Sequence, residues 1–276
     1  MTGKERADVS LVRRGLAQSR EKAQAMIMAG EVYAGERKIS KSSETVLIEE
    51  ELSLRSVTDK YVSRGAYKLE KAIRVFGIDL CGQVVMDVGA STGGFTDVCL
   101  RNGAKHVYSI DVGYGQLDWK LRNDPRVTVM ERVNARYLSK DHFNLLPDFA
   151  VMDVSFISIR LIIPALFNIM GDHGKLCTLI KPQFEAGRGK VGKNGVVRSE
   201  ETHTEVLNEI IHFNESNALH VCRMDYSPIT GPEGNIEFLA LIRRKEECDS
   251  VISTEEINQI VREAHQTLSP GSGKHG

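Results

Sequence analysis

The sequence has no long apolar run. Its longest uncharged stretch of marked apolar character, residues 161–171, covers 11 residues. A bilayer-spanning helix needs about 20, so a transmembrane segment is excluded. The first six residues, Met1-Thr2-Gly3-Lys4-Glu5-Arg6, are charged and lead into no apolar segment, so no signal peptide is expected. Cysteine is sparse: five residues at 81, 99, 177, 222 and 248, with no Cys-x-x-Cys pair. That spacing speaks against a zinc site or any other metal, and against a disulfide framework. Cys81, Cys99, Cys177 and Cys222 sit in or beside apolar stretches. They read as buried free thiols of a reducing, cytoplasmic setting. Charge of one sign is also missing, with 36 Lys+Arg against 37 Asp+Glu and a net charge of −1. A histone-like polycation and an acidic disordered chain are both excluded; a local basic patch is not.

What is present is 276 residues, 41% hydrophobic and 26% charged, the composition of a globular protein with a real core. At about 100–200 residues per domain, two domains are expected. Residues 1–43 carry nine basic side chains against five acidic, a local excess in a nearly neutral chain. Val9, Leu11, Val12 and Leu16 suit a short helix over 7–16. Ser19 can cap a second over 20–29, with Ala23, Met26 and Ile27 on one stripe and Gly30 as its stop. A hairpin or meander follows through residues 31–34, the turn Gly35-Glu36 and residues 44–48. Taken alone, the basic residues fit a solvated face as well as a binding face.

After a polar connector at residues 59–64, apolar runs alternate with helical periodicity, the pattern of a parallel α/β sheet. Strands are expected at 84–88, 107–112, 127–131, 149–153, 175–181, 220–226 and 237–242. Helices are expected at 94–102, 159–170, 201–213 and 253–267, with a frayed tail over 269–276.

The first of these strands runs into Gly89-Ala90-Ser91-Thr92-Gly93-Gly94-Phe95-Thr96. A glycine-rich turn between strand and helix lets backbone approach a ligand, though a purely structural turn also accounts for a single copy. It lacks the Gly-x-Gly-x-x-Gly spacing of dinucleotide binders and any Gly-Lys-Ser/Thr. Asp111 ends the next strand about 20 residues on, where a carboxylate can hold a ribose diol. With Asp87 inside the strand and no phosphate cradle, S-adenosylmethionine is the expected ligand. Gly89, Ala90, Ser91, Gly93, Gly94, Phe95, Thr96 and Asp111 are its candidate contacts. Asn134, after the third strand, and Asp153, at the end of the fourth, are two further candidates, one for the adenine edge and one for the sulfonium. Trp119, the only tryptophan, is expected on a helix or turn, in a packing role or as a wall by the adenosine.

Four residues distant in sequence complete the candidate site: Lys68, Asp153 at the end of the fourth strand, Lys181 at the end of the fifth, and Glu237 at the start of the last. In an open parallel sheet, ligands bind beyond the carboxyl ends of the strands, which puts Asp153 and Lys181 on one crevice. The plain alternative for Lys181 is an ion pair with Asp153 that closes the strand end.

Two resemblances sharpen this. Arg6-x-Asp8-x-x-Leu11-Val12-x-Arg14-Gly15-Leu16-x-x-Ser19-Arg20-x-x-Ala23, then Ile27-x-x-Gly30-x-Val32, resembles the S4 RNA-binding module. The likeness implies that Arg6, Arg14, Arg20, Lys22 and Lys41 meet RNA phosphates. Lys68, Asp153, Lys181 and Glu237 match, in order and context, the Lys-Asp-Lys-Glu tetrad of FtsJ-type ribose 2′-O-methyltransferases. An S4 module fused ahead of that domain is similar to the TlyA family of ribosomal RNA methyltransferases, often labelled haemolysins. The similarity covers residues 5–244 and includes Ser63-Arg64-Gly65-Ala66-Tyr67-Lys68-Leu69 and Lys181-Pro182-Gln183-Phe184-Glu185.

The fold implied is a Rossmann-like class I methyltransferase sheet, α/β, mostly parallel and seven-stranded, behind a small α+β S4-like domain. The boundaries implied are residues 1–60 for the S4-like domain and linker, 61–246 for the methyltransferase, and 247–276 for a C-terminal helix and tail. The activity implied is S-adenosylmethionine-dependent 2′-O-methylation of ribose in structured ribosomal RNA, free or in subunits. Lys181 would be the general base, and Lys68 a neighbouring cation that lowers its pKa. Asp153 and Glu237 would orient the two amines. Residues 186–195, glycine-rich and carrying Arg188, Lys190 and Lys193, fit a mobile flap over RNA, with Arg64 in a similar role. Three other readings compete: a non-catalytic assembly factor that keeps the cofactor pocket, a base N-methyltransferase, and a membrane-active haemolysin. Asp153-Val154-Ser155-Phe156 keeps the acid and aromatic of a flipped-base element without its prolines, which demotes the second.

Overall fold

The computed structural model describes residues 3–28, 31–35, 37–39, 41–54, 60–231 and 233–268. Gly30, Glu36, Asp59 and the expected tail over 269–276 lie outside the described residues, as do the side chains of Arg188 and Lys193. The chain forms two compact units, residues 1–60 and 61–276, and the C-terminal helix belongs to the second.

In the first unit, β1 (Lys4–Arg6) leads directly into α1 (Ala7–Arg13), followed by α2 (Arg20–Met28). Four short strands follow: β2 (Val32–Ala34), β3 (Arg37–Lys38), β4 (Thr45–Leu47) and β5 (Leu52–Leu54). β1 pairs antiparallel with β4, and β2 lies between β3 and β5. The core is small: Ala7, Leu11, Ala23, Ile27, Val32, Ile39 and Val46 are almost fully buried. Buried among them is Asp8, whose carboxylate accepts hydrogen bonds from Arg6 at 2.9 and 3.0 Å, Arg20 at 3.1 Å and Gln24 at 3.0 Å. β1 was not expected from the sequence; its three residues Lys-Glu-Arg carry no apolar alternation.

The second unit opens with α3 (Ala66–Phe76), which sequence periodicity did not bring forward. Its signal exists in hindsight: Leu69, Ala72, Ile73 and Phe76 at helical spacing, closed by Gly77 in the left-handed conformation at φ 64°. The strands are β6 (Val84–Val88), β7 (His106–Asp111), β8 (Val127–Glu131), β9 (Phe149–Met152), β10 (Lys175–Ile180), β11 (Leu219–Tyr226) and β12 (Phe238–Arg244). They form one sheet in the order β11-β12-β10-β9-β6-β7-β8, parallel except that β12 runs antiparallel to both its neighbours. Asp153, Lys181 and Glu237 therefore stand one residue outside the strands expected to contain them.

Alternation along the strands feeds two cores. Val85, Val107, Val151 and Leu179 pack with α3 and α4 (Gly94–Arg101). Met86, Ile110, Met152 and Ile180 face the other layer. That layer holds α6 (Ile163–Met170), α8 (Glu200–Glu215) and α9 (Thr254–Leu268). The connections also include two one-turn helices, α5 (Trp119–Arg122) and α7 (Pro182–Glu185).

Three expectations fail. Cys222 is not a free thiol: it is disulfide-bonded to Cys248, which joins β11 to the segment ahead of α9. Cys81 is exposed; only Cys99 and Cys177 are buried free thiols. Trp119 is 74% exposed and neither packs in a core nor lines the cavity described below.

Between α8 and α9, His203 Nδ1 and His265 Nε2 lie 2.8 Å apart, and the His203 ring meets Phe238 edge-on. Burial, reinforced by His265, pushes the His203 imidazole down to about 4. The unfolded chain therefore takes up a proton below its ordinary value near 6.5 that the folded chain refuses until about 4. Stability from this group is complete at neutral pH and declines as pH falls through that window, by on the order of 2–4 kcal/mol. Thermal melts between pH 7 and about 4 will show this slope, and His203→Gln will flatten it.

Candidate active site

Strand order reverses between β6 and β9, which opens a crevice beyond their carboxyl ends. A cavity of about 520 Å³ lies there, lined by Gly89, Ser91, Asp111, Asn134, Asp153 and Phe156 among others. Gly89 is required by close approach: at φ +83° its Cβ would stand 2.5 Å from the Asp153 carbonyl oxygen. Asp111 is held by backbone N–H groups of Ser91 and Gly113, each at 2.7 Å. The Asn134 side chain accepts from the Arg136 N–H at 3.0 Å. Ala90, Gly93, Gly94, Phe95 and Thr96, expected as cofactor contacts, do not line this cavity. Phe95 is a core residue, and the buried Thr96 hydroxyl donates to Asp87 at 2.6 Å. Asp87 carries a second buried oxygen without a partner, and burial pushes its carboxyl up to about 7.

The residues fit S-adenosylmethionine. The lining is largely apolar, with Asp111 and Asp153 as its acids and no lysine or arginine in its wall. Such a wall suits a cation such as a sulfonium and opposes a phosphate. Asp111 and Asn134 would hold the nucleoside, and Asp153 would face the charged end.

Lys68, Asp153, Lys181 and Glu237 come together beside this cavity. Lys68 projects from the first turn of α3, and its Nζ lies 2.7 Å from Glu237 Oε2 and 3.3 Å from Asp153 Oδ2. Lys181 Nζ lies 2.6 Å from the other Asp153 oxygen and donates to Ser155 Oγ at 3.0 Å. Lys68, Lys181 and Glu237 are buried, and Asp153 is half-buried. Two amines and two carboxylates alternate in a line, Lys181-Asp153-Lys68-Glu237, so each amine lies against a carboxylate. Burial alone would lower the Lys68 pKa, but the Asp153 and Glu237 carboxylates outweigh it and raise it, keeping Lys68 an ammonium. The ion pair expected between Lys181 and Asp153 is present, and it is one link of this longer chain.

Two contacts were not foreseen. Phe156 has φ +65°, a backbone state that a bulky residue rarely adopts, and its ring is 91% exposed. It rests against Phe184 at a centroid distance of 5.1 Å. Glu185, buried, then accepts from Ser158 Oγ at 2.7 Å and the Ile159 N–H at 2.9 Å. Residues 153–160 and 181–185 are thereby held together at successive points. Ser155, Phe156 and Glu185 sat in stretches already singled out, but their contacts depend on tertiary pairing.

The expected RNA contacts differ in how far they are committed. Arg6 and Arg20 are bound to Asp8, and Arg14 donates to Ser10 Oγ at 3.0 Å and the Ile48 carbonyl at 2.7 Å. Lys190 pairs with Glu205 at 2.5 Å. Lys22, Lys41 and Arg64 are exposed and make no ion pair among the described residues. No cluster of three or more His, Cys, Asp or Glu suited to a metal occurs among the described residues.

A doubly wound sheet with a glycine turn, an acid-walled pocket at its switch point and an antiparallel β12 defines a methyltransferase of the Rossmann-like class. The FtsJ-like methyltransferase family matches residues 61–244, and the S4 domain matches residues 5–52. A Mycobacterium tuberculosis protein named 16S/23S rRNA (cytidine-2′-O)-methyltransferase TlyA is 40% identical over 274 residues, 98% of this chain and 100% of its own. Bacillus subtilis YqxC, whose name carries a provisional rRNA methyltransferase assignment, is 48% identical over 96% of this chain and 95% of its own. A solved structure from Streptococcus thermophilus, titled a hemolysin on a provisional basis, has 45% identity. It superposes with a TM-score of 0.75 over 97% of this chain and 98% of its own. The chain belongs to the TlyA family of FtsJ-like methyltransferases, with an S4 domain at its N-terminus. Among the described residues, no helix is long and apolar enough to cross a membrane.

Proposed function

We propose that this protein transfers a methyl group from S-adenosylmethionine to the 2′-oxygen of a ribose in ribosomal RNA. The observation that carries the reading is the convergence of Lys68, Asp153, Lys181 and Glu237 beside a cavity whose wall holds acids and no cations. The cofactor supplies an electrophilic methyl group. Everything else falls to the chain. Asp153 faces the cavity and orients the Lys181 amine through its second oxygen. Lys181, in its neutral amine form, takes the proton of the ribose hydroxyl as the oxygen attacks, the role of a general base. Lys68, held as an ammonium by Glu237 and Asp153, offers a fixed positive charge to the oxygen or its neighbouring phosphate. The exposed Phe156 ring gives the target nucleoside a surface to stack on. Lys22 and Lys41 of the S4 domain, and Arg64, grip RNA phosphates. The substrate class follows from the relatives' names, which specify rRNA and a cytidine 2′-oxygen.

Radiolabelled methyl transfer to purified ribosomal subunits, followed by nucleoside digestion, tests the proposal. Label on a ribose 2′-oxygen is expected. Label on a base would favour the base N-methyltransferase. Binding to subunits without any label would favour the non-catalytic assembly factor.

A further inference from the structure

Lys71 lies one turn beyond Lys68 on α3, on the same face of the helix. Its Nζ donates to the Tyr226 carbonyl at 2.7 Å, lies 3.0 Å from Asp225 Oδ1 and sits 3.6 Å above the centre of the Tyr226 ring. A lysine held by a carbonyl, a carboxylate and an aromatic face at once is fixed in place; its side chain is only 12% exposed. The partners matter as much as the bonds. Tyr226 pairs in register with Phe238 across β11 and β12, and the next residue, Ser227, donates its N–H to the Glu237 carbonyl at 2.8 Å. Glu237 is the residue that binds Lys68 at 2.7 Å. The two lysines of one helix therefore dock on the paired ends of two adjacent strands, one residue apart.

We infer that Lys71 is a positioning residue for methyl transfer. It anchors α3 on the end of β11 so that the Lys68 ammonium stays between Glu237 and Asp153. Nothing in this contact reaches the cavity, and Lys71 is absent from its wall. This role rests on the proposed catalytic reading of Lys68, because an anchor has meaning only if what it places is used. With the anchor lost, the helix remains packed through Leu69 and Ala72, but the Lys68 head is free to drift along the carboxylates.

The test compares Lys71→Met, Lys71→Arg, Asp225→Asn, Lys68→Met and the Lys68→Met/Lys71→Met double variant in the full-length protein. Steady-state methyl transfer to ribosomal subunits, its pH profile, S-adenosylmethionine affinity and melting temperature are read for each. Lys71→Met is expected to lower kcat roughly tenfold, an effect of misplacement rather than lost chemistry. KM and cofactor affinity stay near wild type, and the pH profile shifts. Lys71→Arg, which keeps the charge, restores most of the rate, and Asp225→Asn gives a smaller loss. In the Lys68→Met background, Lys71→Met adds nothing further. A wild-type kcat in Lys71→Met alongside an impaired Lys68→Met overturns the anchor alone. A Lys71→Met loss that adds fully to that of Lys68→Met, or that merely tracks melting temperature, overturns it too. A wild-type rate in Lys68→Met overturns the anchor and the catalytic reading together.

Discussion

Lys181→Met will reduce methyl transfer by roughly 10²–10⁴-fold while leaving S-adenosylmethionine binding and the fold close to wild type, because a general base contributes about that much. The variant is chosen for charge balance. Lys181 pairs with one oxygen of Asp153, and Lys68 pairs with the other at 3.3 Å. Removing the Lys181 amine leaves Asp153 still compensated by Lys68, and methionine refills the volume of the buried stem. Asp153→Asn would be the poorer probe: it removes the carboxylate that both amines share and confounds catalysis with stability. The defect in Lys181→Met should lie wholly in kcat, since Lys181 does not line the cofactor cavity. Single-turnover rates with calorimetric cofactor binding will separate the two. A near-normal rate would remove Lys181 from the chemistry and leave its contacts with Asp153 and Ser155 as scaffolding.

The legible parts of this protein are those where a local pattern has one physical solution. The Val-Val-Met-Asp-Val run of β6 is buried at every position and reads as a central parallel strand directly from sequence. The turn that follows it, closed by Asp111 on the next strand, is likewise a local unit. Asp153 and Lys181 could be placed at the rim because the carboxyl ends of parallel strands share one edge; Glu237, at the start of its strand, was grouped with them by resemblance and reaches that edge because β12 runs antiparallel. Their pairing could not be placed: which oxygen of Asp153 meets which lysine is decided by how α3 lies on the sheet, and α3 itself was not anticipated.

The same limit explains the errors at residue level. Phe95 and Thr96 follow the glycine turn in sequence and were grouped with it, but the helical rise of α4 turns them into the core and toward Asp87. Cys222 and Cys248, 26 residues apart, show no spacing signal; β11 and the segment before α9 bring them together only in the fold. For Trp119, residue type alone suggests packing or a wall by the adenosine, and the tertiary arrangement leaves it exposed and outside the cavity.

Asp8→Ala is the variant expected to damage the N-terminal unit most. The carboxylate is fully buried and accepts from Arg6, Arg20 and Gln24. Charge-assisted hydrogen bonds contribute about 1.5–3 kcal/mol each, but Arg6 and Arg20 are half in water and rehydrate when released. A net loss of about 2–4 kcal/mol follows, most of the stability that a unit of this size can hold. The Arg6 guanidinium, acting against the cost of burial and helped by Gln24 and Arg20, holds the Asp8 pKa well below the usual carboxylate range. A depressed acid stabilises above its unfolded pKa, about 3.9, and that contribution fades as pH falls below it. Acidification should therefore loosen residues 3–54 in the wild-type chain and change little in Asp8→Ala. Asp8→Asn, which keeps the shape and loses the charge, should fall between the two. Hydrogen exchange on the full-length protein will report the loss of protection in α1 and α2 directly. If the S4 domain grips RNA as proposed, Asp8→Ala also raises KM for ribosomal subunits and flattens its salt dependence, with kcat at saturation retained. Unchanged protection in α1 and α2 would mean that the apolar core of Leu11, Ile27 and Val46 holds the unit without its buried charge.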